Sequence, residues 1–397
     1  MDIALSKHIQ NIGPSPTLAI SARATALKAE GKDIISLAAG EPDFDTPDHV
    51  KTAAIKAIQD GFTKYTAVEG IPSLKRAIAA KFKHENKLEY GLDQILVSSG
   101  CKHSIYNLLM ALLNPGDEAI LPAPYWTSYP DMIRLTGAEP VILRTGLEDN
   151  FKVTKAQLRA AITPKTRLLI LNSPSNPTGG CYTREELLRL AEVLLEHPSI
   201  AIASDDIYEH ILWHGEPFAN ILNACPELYE RTIVLHGLSK AYAMTGWRIG
   251  YAAGPKPIIQ AMANLQSQST SNPTSIAQVA AQAALEGPQD FVREQCQVFK
   301  QRHDLVYRRL NQIKGIKCLA AKGAFYIFLN MEEVIARLGG MGDDIALAEY
   351  LLEKVGLALV PGSAFGAPGY MRLSFATSME NLEAAMDRLE GLLGKRY

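Results

Sequence analysis

Paired cysteines are missing from this chain. It contains five cysteines, an odd number, and none of them stands in a C-x-x-C pair: Cys101, Cys181, Cys225, Cys296 and Cys318. No histidine cluster lies beside them in the sequence. These absences argue against a zinc site and a disulfide framework, so we expect no metal and a reducing compartment.

Long apolar runs and an excess of charge of one sign are also missing. The longest apolar stretches, such as Leu168–Leu171, have the length of a strand and are too short to span a bilayer. The first residues, Met1–Lys7, contain no apolar run of signal-peptide length. The net charge of −2 gives no overall field that attracts nucleic acid or an anionic membrane. We expect a cytoplasmic, soluble protein that binds neither nucleic acid nor membrane.

Short apolar runs alternate with helical patterns through the middle of the chain. Thr183–Glu186 is a capping-box sequence that predicts the start of one of these helices. Such alternation predicts an α/β fold with a mostly parallel sheet covered by helices on both faces. The predicted strands are Ile95–Val97, Glu118–Leu121, Val141–Leu143, Leu168–Leu171, Ile200–Ala203, Thr232–Leu235 and Ile249–Ala252.

The pattern changes after Gln289, where a long helix predicted for 290–312 leads into a smaller α+β unit. The 397 residues are enough for two domains. We predict an N-terminal arm with part of a small domain (1–45), a large domain (46–290) and a small C-terminal domain (291–397). The last region contains predicted strands at Ala324–Leu329, Leu357–Val360 and Met371–Phe375, and helices at Ile345–Glu353 and Met379–Leu393.

Several residues with chemical potential follow the predicted strands. Lys240 follows the strand that ends at Leu235, and Arg248 comes eight residues later. A lysine can act as a covalent catalyst if it loses its proton, and an arginine can hold a phosphate. Taken alone, each has a plainer interpretation, because a lysine after a strand is more often a surface residue.

Three further motifs have the same two interpretations. Asp205 ends a strand and could pair with a protonated pyridine nitrogen, and Tyr208 follows it. The loop Asn172–Gly180 is stiffened by two X-Pro bonds and could hold Asn176 rigidly. Ser98–His103 begins a helix, where backbone N–H groups bind phosphate. Each would pass for an ordinary turn if it stood alone.

Together, these motifs resemble the class I aminotransferases of fold type I, and most closely the prokaryotic-type aspartate aminotransferases. The resemblance runs from Gly40–Phe44 to Met371–Ser374. Its most specific parts are Asn172–Gly179, Ser204–Tyr208 and Ser239–Tyr251, in the order and spacing of that family. The resemblance implies a pyridoxal phosphate (PLP) fold type I enzyme with a mostly parallel seven-stranded sheet, and a homodimer with shared active sites.

The resemblance also implies roles for single residues at the cofactor. Lys240 would hold PLP as a Schiff base and move the proton, Asp205 would pair with the ring nitrogen, and Tyr208 and Asn176 would hydrogen-bond the ring hydroxyl oxygen. Trp126 would stack on the ring. The groups around the phosphate would be the backbone amides of Gly100, Cys101 and Lys102, the side chain of Arg248, and Tyr65 from the neighbouring subunit.

At the substrate, the resemblance assigns Arg372 to the α-carboxylate and places Gly40 beside the substrate, with Trp126 and Asn176. Two positions depart from the family pattern. Gly237 stands where a phosphate-binding serine is often found, and Ser239 is the candidate to replace it. No arginine lies near Ser267, where the animal-type enzymes read the distal carboxylate, which leaves Lys102 as the expected cation.

The expected reaction is reversible amino transfer from L-aspartate to 2-oxoglutarate. The alternative within the same chemistry is an aminotransferase for prephenate, aromatic amino acids or kynurenine. A cofactor-binding transcription regulator would need a helix-turn-helix segment and a basic patch. The family pattern begins within the first 40 residues, so we do not expect such a segment.

Overall fold

The computed structural model of the protein describes residues 3–10, 12–14, 16–213, 215–339 and 342–394. Its strands are β1 (Ile35–Ser36), β2 (Ile95–Ser98), β3 (Glu118–Ala123), β4 (Glu139–Arg144), β5 (Thr166–Asn172), β6 (Ala201–Asp205), β7 (Thr232–Gly237), β8 (Gly250–Ala253), β9 (Lys317–Cys318), β10 (Tyr326–Asn330), β11 (Leu357–Ala358), β12 (Val360–Pro361) and β13 (Tyr370–Ser374). Its α-helices are α1 (Lys7–Gln10), α2 (Pro16–Ala29), α3 (Asp48–Gln59), α4 (Pro72–Lys81), α5 (Cys101–Leu112), α6 (Tyr129–Leu135), α7 (Lys155–Ala161), α8 (Arg184–Leu195), α9 (Ile221–Ala224), α10 (Lys256–Ser267), α11 (Ser275–Glu286), α12 (Asp290–Leu310), α13 (Glu332–Leu338), α14 (Asp344–Val355) and α15 (Met379–Leu393).

A seven-stranded sheet forms the centre of the fold, in the order β2-β8-β7-β6-β5-β3-β4. Within it β8 runs antiparallel to both of its neighbours, and the remaining pairs are parallel. The central strands β6 and β7 are almost wholly buried, which suits their nearly continuous apolar sequences. The predicted mostly parallel α/β sheet is therefore confirmed.

The predicted capping box at the start of α8 is confirmed in detail. The hydroxyl of Thr183 accepts a hydrogen bond from the backbone N–H of Glu186 at 3.2 Å. In return, the carboxylate of Glu186 accepts one from the backbone N–H of Thr183 at 2.8 Å. Two N–H groups that the helix itself leaves without partners are thereby satisfied.

A four-stranded sheet in the order β12-β13-β10-β9 contains the later strands, and its pairs are antiparallel. The single strand predicted for Leu357–Val360 is wrong. The chain changes sheets there: β11 pairs in parallel with β1, whereas β12 pairs with β13. All four residues are buried, so their apolar sequence could not reveal the break.

Two absences expected from the sequence concern cysteines and membrane spans. All five cysteines lie in the described part of the chain and are free. Among the described residues, no helix combines the length and the apolar character that a membrane crossing requires.

Candidate active site

A cavity of about 570 Å³ lies at the carboxyl ends of the central parallel strands. This is the edge of an open α/β sheet at which ligands bind. The structure brings together here most of the side chains predicted for the site: Gly40, Cys101, Lys102, Trp126, Asn176, Asp205, Tyr208, Ser239, Lys240, Arg248 and Arg372 line the cavity.

Lys240 lies in the loop after β7, and its Nζ donates a hydrogen bond to the backbone carbonyl of Gly40 at 2.6 Å. Burial lowers the pKa of Lys240 to about 8, and the positive charges of Arg248 and Arg372 add to this effect. On the order of a tenth of the Lys240 side chains is therefore a neutral amine at pH 7, far more than for an ordinary lysine, and this form can act as a nucleophile or general base.

Asp205 ends β6 and is buried beneath the cavity. Its Oδ2 accepts a hydrogen bond from the hydroxyl of Tyr129 at 2.5 Å, and its Oδ1 accepts one from the backbone N–H of Ile207 at 3.3 Å. Burial raises the pKa of Asp205 to about 6, and the hydrogen bond from Tyr129 is the largest effect in the opposite direction. Tyr129 is a residue of the site that the sequence did not indicate.

Arg372 projects from β13 and is only 2% exposed. Its guanidinium donates to Oδ1 of Asn176 at 3.0 Å and to the backbone carbonyl of Ala38 at 2.6 Å, while its Nε has no partner. Among the described residues no carboxylate pairs with it. A buried cation without a counter-ion is costly, so this guanidinium is suited to an anionic ligand that enters the cavity.

Tyr326 is a second site residue that sequence reasoning missed. Its hydroxyl lies 3.0 Å from that of Tyr208, and the guanidinium of Arg372 lies 4.5 Å from the centre of its ring. In the antiparallel register, Tyr326 pairs with Ser374 and so lies diagonal to Arg372. The sequence predicts a strand at this position but not its pairing, and only the pairing places Tyr326 in the site.

The start of α5 is held unusually close to the sheet and to Arg248. Gly100 has φ +90°, and a Cβ there would meet Nη2 of Arg248 at 2.2 Å. A Cβ on Gly250 of β8 would meet the backbone nitrogen of Cys101 at 2.1 Å. The first N–H groups of a helix lack partners within it, so this position, next to a guanidinium, is suited to phosphate.

The glycine that replaces the expected serine has a structural reason. Gly237 pairs with Gly250 across β7 and β8, and a Cβ on Gly237 would lie 3.1 Å from the Cα of Gly250. A serine side chain would crowd this approach. Ser239, two residues later, is buried and lines the cavity, but its contact with a cofactor stays a prediction.

Two further lysines, Lys102 and Lys28, line the cavity. The Nζ of Lys102 lies 4.8 Å from the ring centre of Trp126. Partial burial, together with the charge of Arg248, lowers the pKa of Lys102. The second lysine, Lys28, comes from α2, which also contributes Ser21 and Thr25 to the cavity wall. No motif in the sequence indicated that this helix contributes to the site.

Tyr65 is not brought into the cavity of its own chain, and it is 92% exposed. The resemblance assigned it to the neighbouring subunit's phosphate, and that role stays a prediction.

Outside the cavity, Glu209, His210 and His236 could together provide ligands for a metal ion. The ammonium group of Lys81 already occupies this position. It contacts Glu209, donates to Oδ1 of Asn86 at 2.8 Å and lies 3.6 Å from Glu85. The cluster is therefore a buried ion-pair network with a resident cation.

Comparison with known proteins agrees with this geometry. The family model for aminotransferases of class I and II matches residues 32–389. An aspartate/prephenate aminotransferase of Nitrosomonas europaea is 58% identical over 98% of this chain and 99% of its own length. The corresponding protein of Cereibacter sphaeroides is 52% identical over 97% of this chain and 98% of its own length.

Solved structures give the same result. The aspartate aminotransferase from Rhizobium meliloti superposes with a TM-score of 0.95 at 48% identity, covering 98% of each chain. The Thermus thermophilus aspartate aminotransferase with maleate superposes with a TM-score of 0.93 at 42% identity, covering 99% of this chain and 100% of its own. The chain therefore belongs to the class I and II aminotransferase family, whose fold and enzyme class it shares.

Proposed function

We propose that the cavity binds pyridoxal phosphate on Lys240 and that the enzyme transfers an amino group between L-aspartate and 2-oxoglutarate. The observation that carries this proposal is that one cavity contains two basic side chains, Lys240 and Arg372. Lys240 has a pKa lowered to about 8, and Arg372 is buried with an amide and a backbone carbonyl as its hydrogen-bond acceptors and with no carboxylate partner among the described residues. The first is suited to a carbonyl carbon, and the second to the carboxylate of an amino acid.

The residues of the cavity fit each part of this cofactor. The start of α5 and Arg248 would hold the phosphate: a side chain on Gly100 would collide with Arg248, and one on Gly250 would collide with the start of α5, so the two glycines keep this position open. Asp205 would meet the ring nitrogen, and Tyr208 and Asn176 the ring hydroxyl oxygen. Trp126 would cover one face of the ring. Lys240 Nζ is the amine that would link to the aldehyde carbon.

When bound, pyridoxal phosphate supplies an electron-poor ring that takes up the electron pair left when the α-proton of the substrate departs. Arg372 binds the α-carboxylate and fixes the orientation of the α-carbon. Lys240, as a neutral amine, takes the α-proton on Nζ and would deliver it to a carbon of the bound cofactor. Asp205 holds a negative charge against the ring nitrogen throughout. The amino acid that gives up the amino group and the oxo acid that receives it use the same site in turn. We therefore expect ping-pong kinetics.

Aspartate is favoured because a second cation is available for its distal carboxylate. Lys102 and Lys28 both line the cavity, and a buried second carboxylate needs such a partner. The relatives from Nitrosomonas and Cereibacter are named for both aspartate and prephenate. Prephenate also carries a second carboxylate, so we propose that it is a further substrate of the same cavity.

We further propose that the enzyme is a homodimer in which Tyr65 reaches the partner's cavity. Apolar and aromatic side chains are exposed along α3 and the segment after it: Ile55 (55%), Ile58 (52%), Phe62 (39%) and Tyr65 (92%). A cluster of this kind on a folded surface is typical of an interface. The predicted domains 1–45, 46–290 and 291–397 remain our proposal for the division of each subunit.

The test of the cofactor assignment is Lys240→Ala, with Lys240→Arg as the matched control that keeps a positive charge. Both variants should lose transamination, because neither side chain provides an amine that can lose its proton. After borohydride reduction of the wild-type holoenzyme, mass spectrometry should find the cofactor on the Lys240 peptide and on no peptide of either variant. Attachment to another lysine would overturn the assignment.

A further inference from the structure

Tyr129 makes a contact to Asp205 that the mechanism above does not use. Tyr129 begins α6 and is 1% exposed, and its hydroxyl donates to Oδ2 of Asp205 at 2.5 Å. The other carboxylate oxygen, Oδ1, accepts from the backbone N–H of Ile207 and lies 3.9 Å from the thiol of Cys101. Both oxygens of this buried carboxylate therefore face hydrogen-bond donors of the protein.

The ring of Tyr129 is fixed as firmly as its hydroxyl. It packs edge-to-face against Trp126, with ring centres 5.3 Å apart and planes at 85°. Burial, followed by the negative charge of Asp205, raises the pKa of the Tyr129 hydroxyl well above its usual value. The hydroxyl therefore keeps its proton near neutral pH and remains a hydrogen-bond donor there.

A carboxylate and a pyridine nitrogen that share one proton have two arrangements. The proton can lie on the ring, which leaves an ion pair, or on the carboxylate, which leaves a neutral pair. A buried site favours the neutral pair, because burial penalises charge. Donors directed at the carboxylate favour the ion pair, because they bond more strongly to the charged form. The groups that face Asp205 are Tyr129, Cys101, Lys240 and Tyr208.

We propose that the Tyr129 hydroxyl is a positioning group that keeps Asp205 ionised and thereby keeps the shared proton on the ring nitrogen of the cofactor. The inference rests on the proposed binding of pyridoxal phosphate in this cavity. Tyr129 acts through Asp205, and the Cys101 thiol assists as a weaker and more distant donor. The cofactor accepts electrons because its ring carries this proton. The Tyr129 hydroxyl therefore affects the reaction indirectly, through Asp205.

The test replaces Tyr129 by Phe, which removes the donor and keeps the ring against Trp126. Tyr229→Phe is the matched control, because it loses a comparable hydroxyl that donates to the backbone carbonyl of Glu89 at 2.6 Å, away from the cavity. Cys101→Ala, which removes the weaker donor and leaves Tyr129 in place, provides a second variant. Circular dichroism establishes that each variant is folded.

The first measurement is the pKa of Asp205 in the full chain without cofactor. Infrared difference spectra follow its carboxylic acid band, which Asp205→Asn identifies by removing it. The loss of a charge-assisted hydrogen bond should raise the pKa by roughly one to two units in Tyr129→Phe. The rise should be smaller in Cys101→Ala and absent in Tyr229→Phe. An unchanged pKa in folded Tyr129→Phe would overturn the proposal.

The second measurement uses the holoenzyme loaded with pyridoxal phosphate that carries ¹⁵N in the ring. Its nitrogen chemical shift should report a protonated ring in the wild type and move towards the unprotonated value in Tyr129→Phe, and an unmoved resonance would overturn the link to the cofactor. Failure of the wild type to bind the cofactor would instead refute the proposed function, which separates the two failures.

Discussion

At the scale of single residues, the cavity contains two lysines that could bind the distal carboxylate of a substrate, Lys102 and Lys28. The sequence alone indicated only Lys102. Lys102 was expected to read a distal carboxylate because no arginine lies near Ser267. The structure adds Lys28 of α2 to the same cavity wall. The Nζ of Lys102 lies 4.8 Å from the ring centre of Trp126, and Lys102 belongs to the helix start proposed to bind the phosphate. We therefore expect Lys102 to bind the distal carboxylate of the substrate.

Lys102→Ala should therefore lower kcat/KM for aspartate and glutamate more than for alanine or phenylalanine. The difference between charged and neutral substrates should be about 2 kcal/mol, as for truncation of one partner of a buried charge pair. Prephenate should fall together with aspartate. Lys28→Ala is the matched comparison and should show a smaller difference. If Lys28→Ala gave the larger one, Lys28 would be the reader of the distal carboxylate.

Asp205 and Asp206 show how far residue-level reasoning from the sequence reaches. Successive side chains of a strand point to opposite faces, so the placement of Asp205 at the cavity implies that Asp206 points away from it. The structure places them so. Asp206 is nevertheless buried, where it accepts from the Ser204 hydroxyl at 2.7 Å and from Nδ2 of Asn220 at 2.8 Å. Alternation gives the direction of a side chain but not its partners, such as Asn220, which lies 14 positions along the chain.

At the scale of elements, the contact between α5 and β8 positions the proposed phosphate site. Gly250 of β8 allows the start of α5 to approach the sheet until a Cβ would lie 2.1 Å from the Cys101 nitrogen. The sequence predicted the strand and the helix nearly at their observed bounds. It could not predict their separation, because the glycine that permits the contact lies about 150 residues from the helix it faces.

Gly250→Ala should push the start of α5 away from Arg248 and weaken cofactor binding. Gly246→Ala is the matched control, since a Cβ there has no neighbour within 4 Å. We expect at least a tenfold loss of affinity for pyridoxal phosphate in the first variant, because the backbone at the start of α5 must move to make room for the Cβ, and a cost of about 1.4 kcal/mol already weakens binding tenfold. Titration of the apoprotein with the cofactor measures this loss. Equal affinities for the two variants would show that the close contact does not matter for binding.

A buried ion pair joins further elements behind the site. Lys81 at the end of α4 contacts Glu209, which follows the β6 turn, and both side chains are 3% exposed or less. Burial alone would raise the pKa of Glu209, but the charge of Lys81, together with hydrogen bonding to His236, lowers it well below its usual value. The sequence contained no pattern that links these residues, which lie 128 positions apart.

At the scale of the whole molecule, the type of the central sheet could be predicted from the sequence, but the order of its strands could not. Alternation of strands and helices indicated a mostly parallel sheet, and the structure contains one. The pairing of β1 with β11, which joins residues 35–36 to residues 357–358, was not predicted, because two-residue strands leave no periodicity to detect. The assembly of subunits is harder still to predict from the sequence, because it depends on which side chains meet on the folded surface and not on a local sequence pattern.

The proposed dimer makes a specific prediction through Tyr65, which is 92% exposed in its own chain. Tyr65→Phe should weaken cofactor binding, and Lys240→Ala should abolish activity. If Tyr65 serves the partner's cavity, a hybrid dimer of the two variants contains one site with both native side chains. Equal amounts, denatured and refolded together, should then recover roughly a quarter of the wild-type sites, because half of the dimers are hybrid and one site in each is intact. Activity no greater than that of the two variants refolded separately would place Tyr65 in its own subunit's site or outside any site.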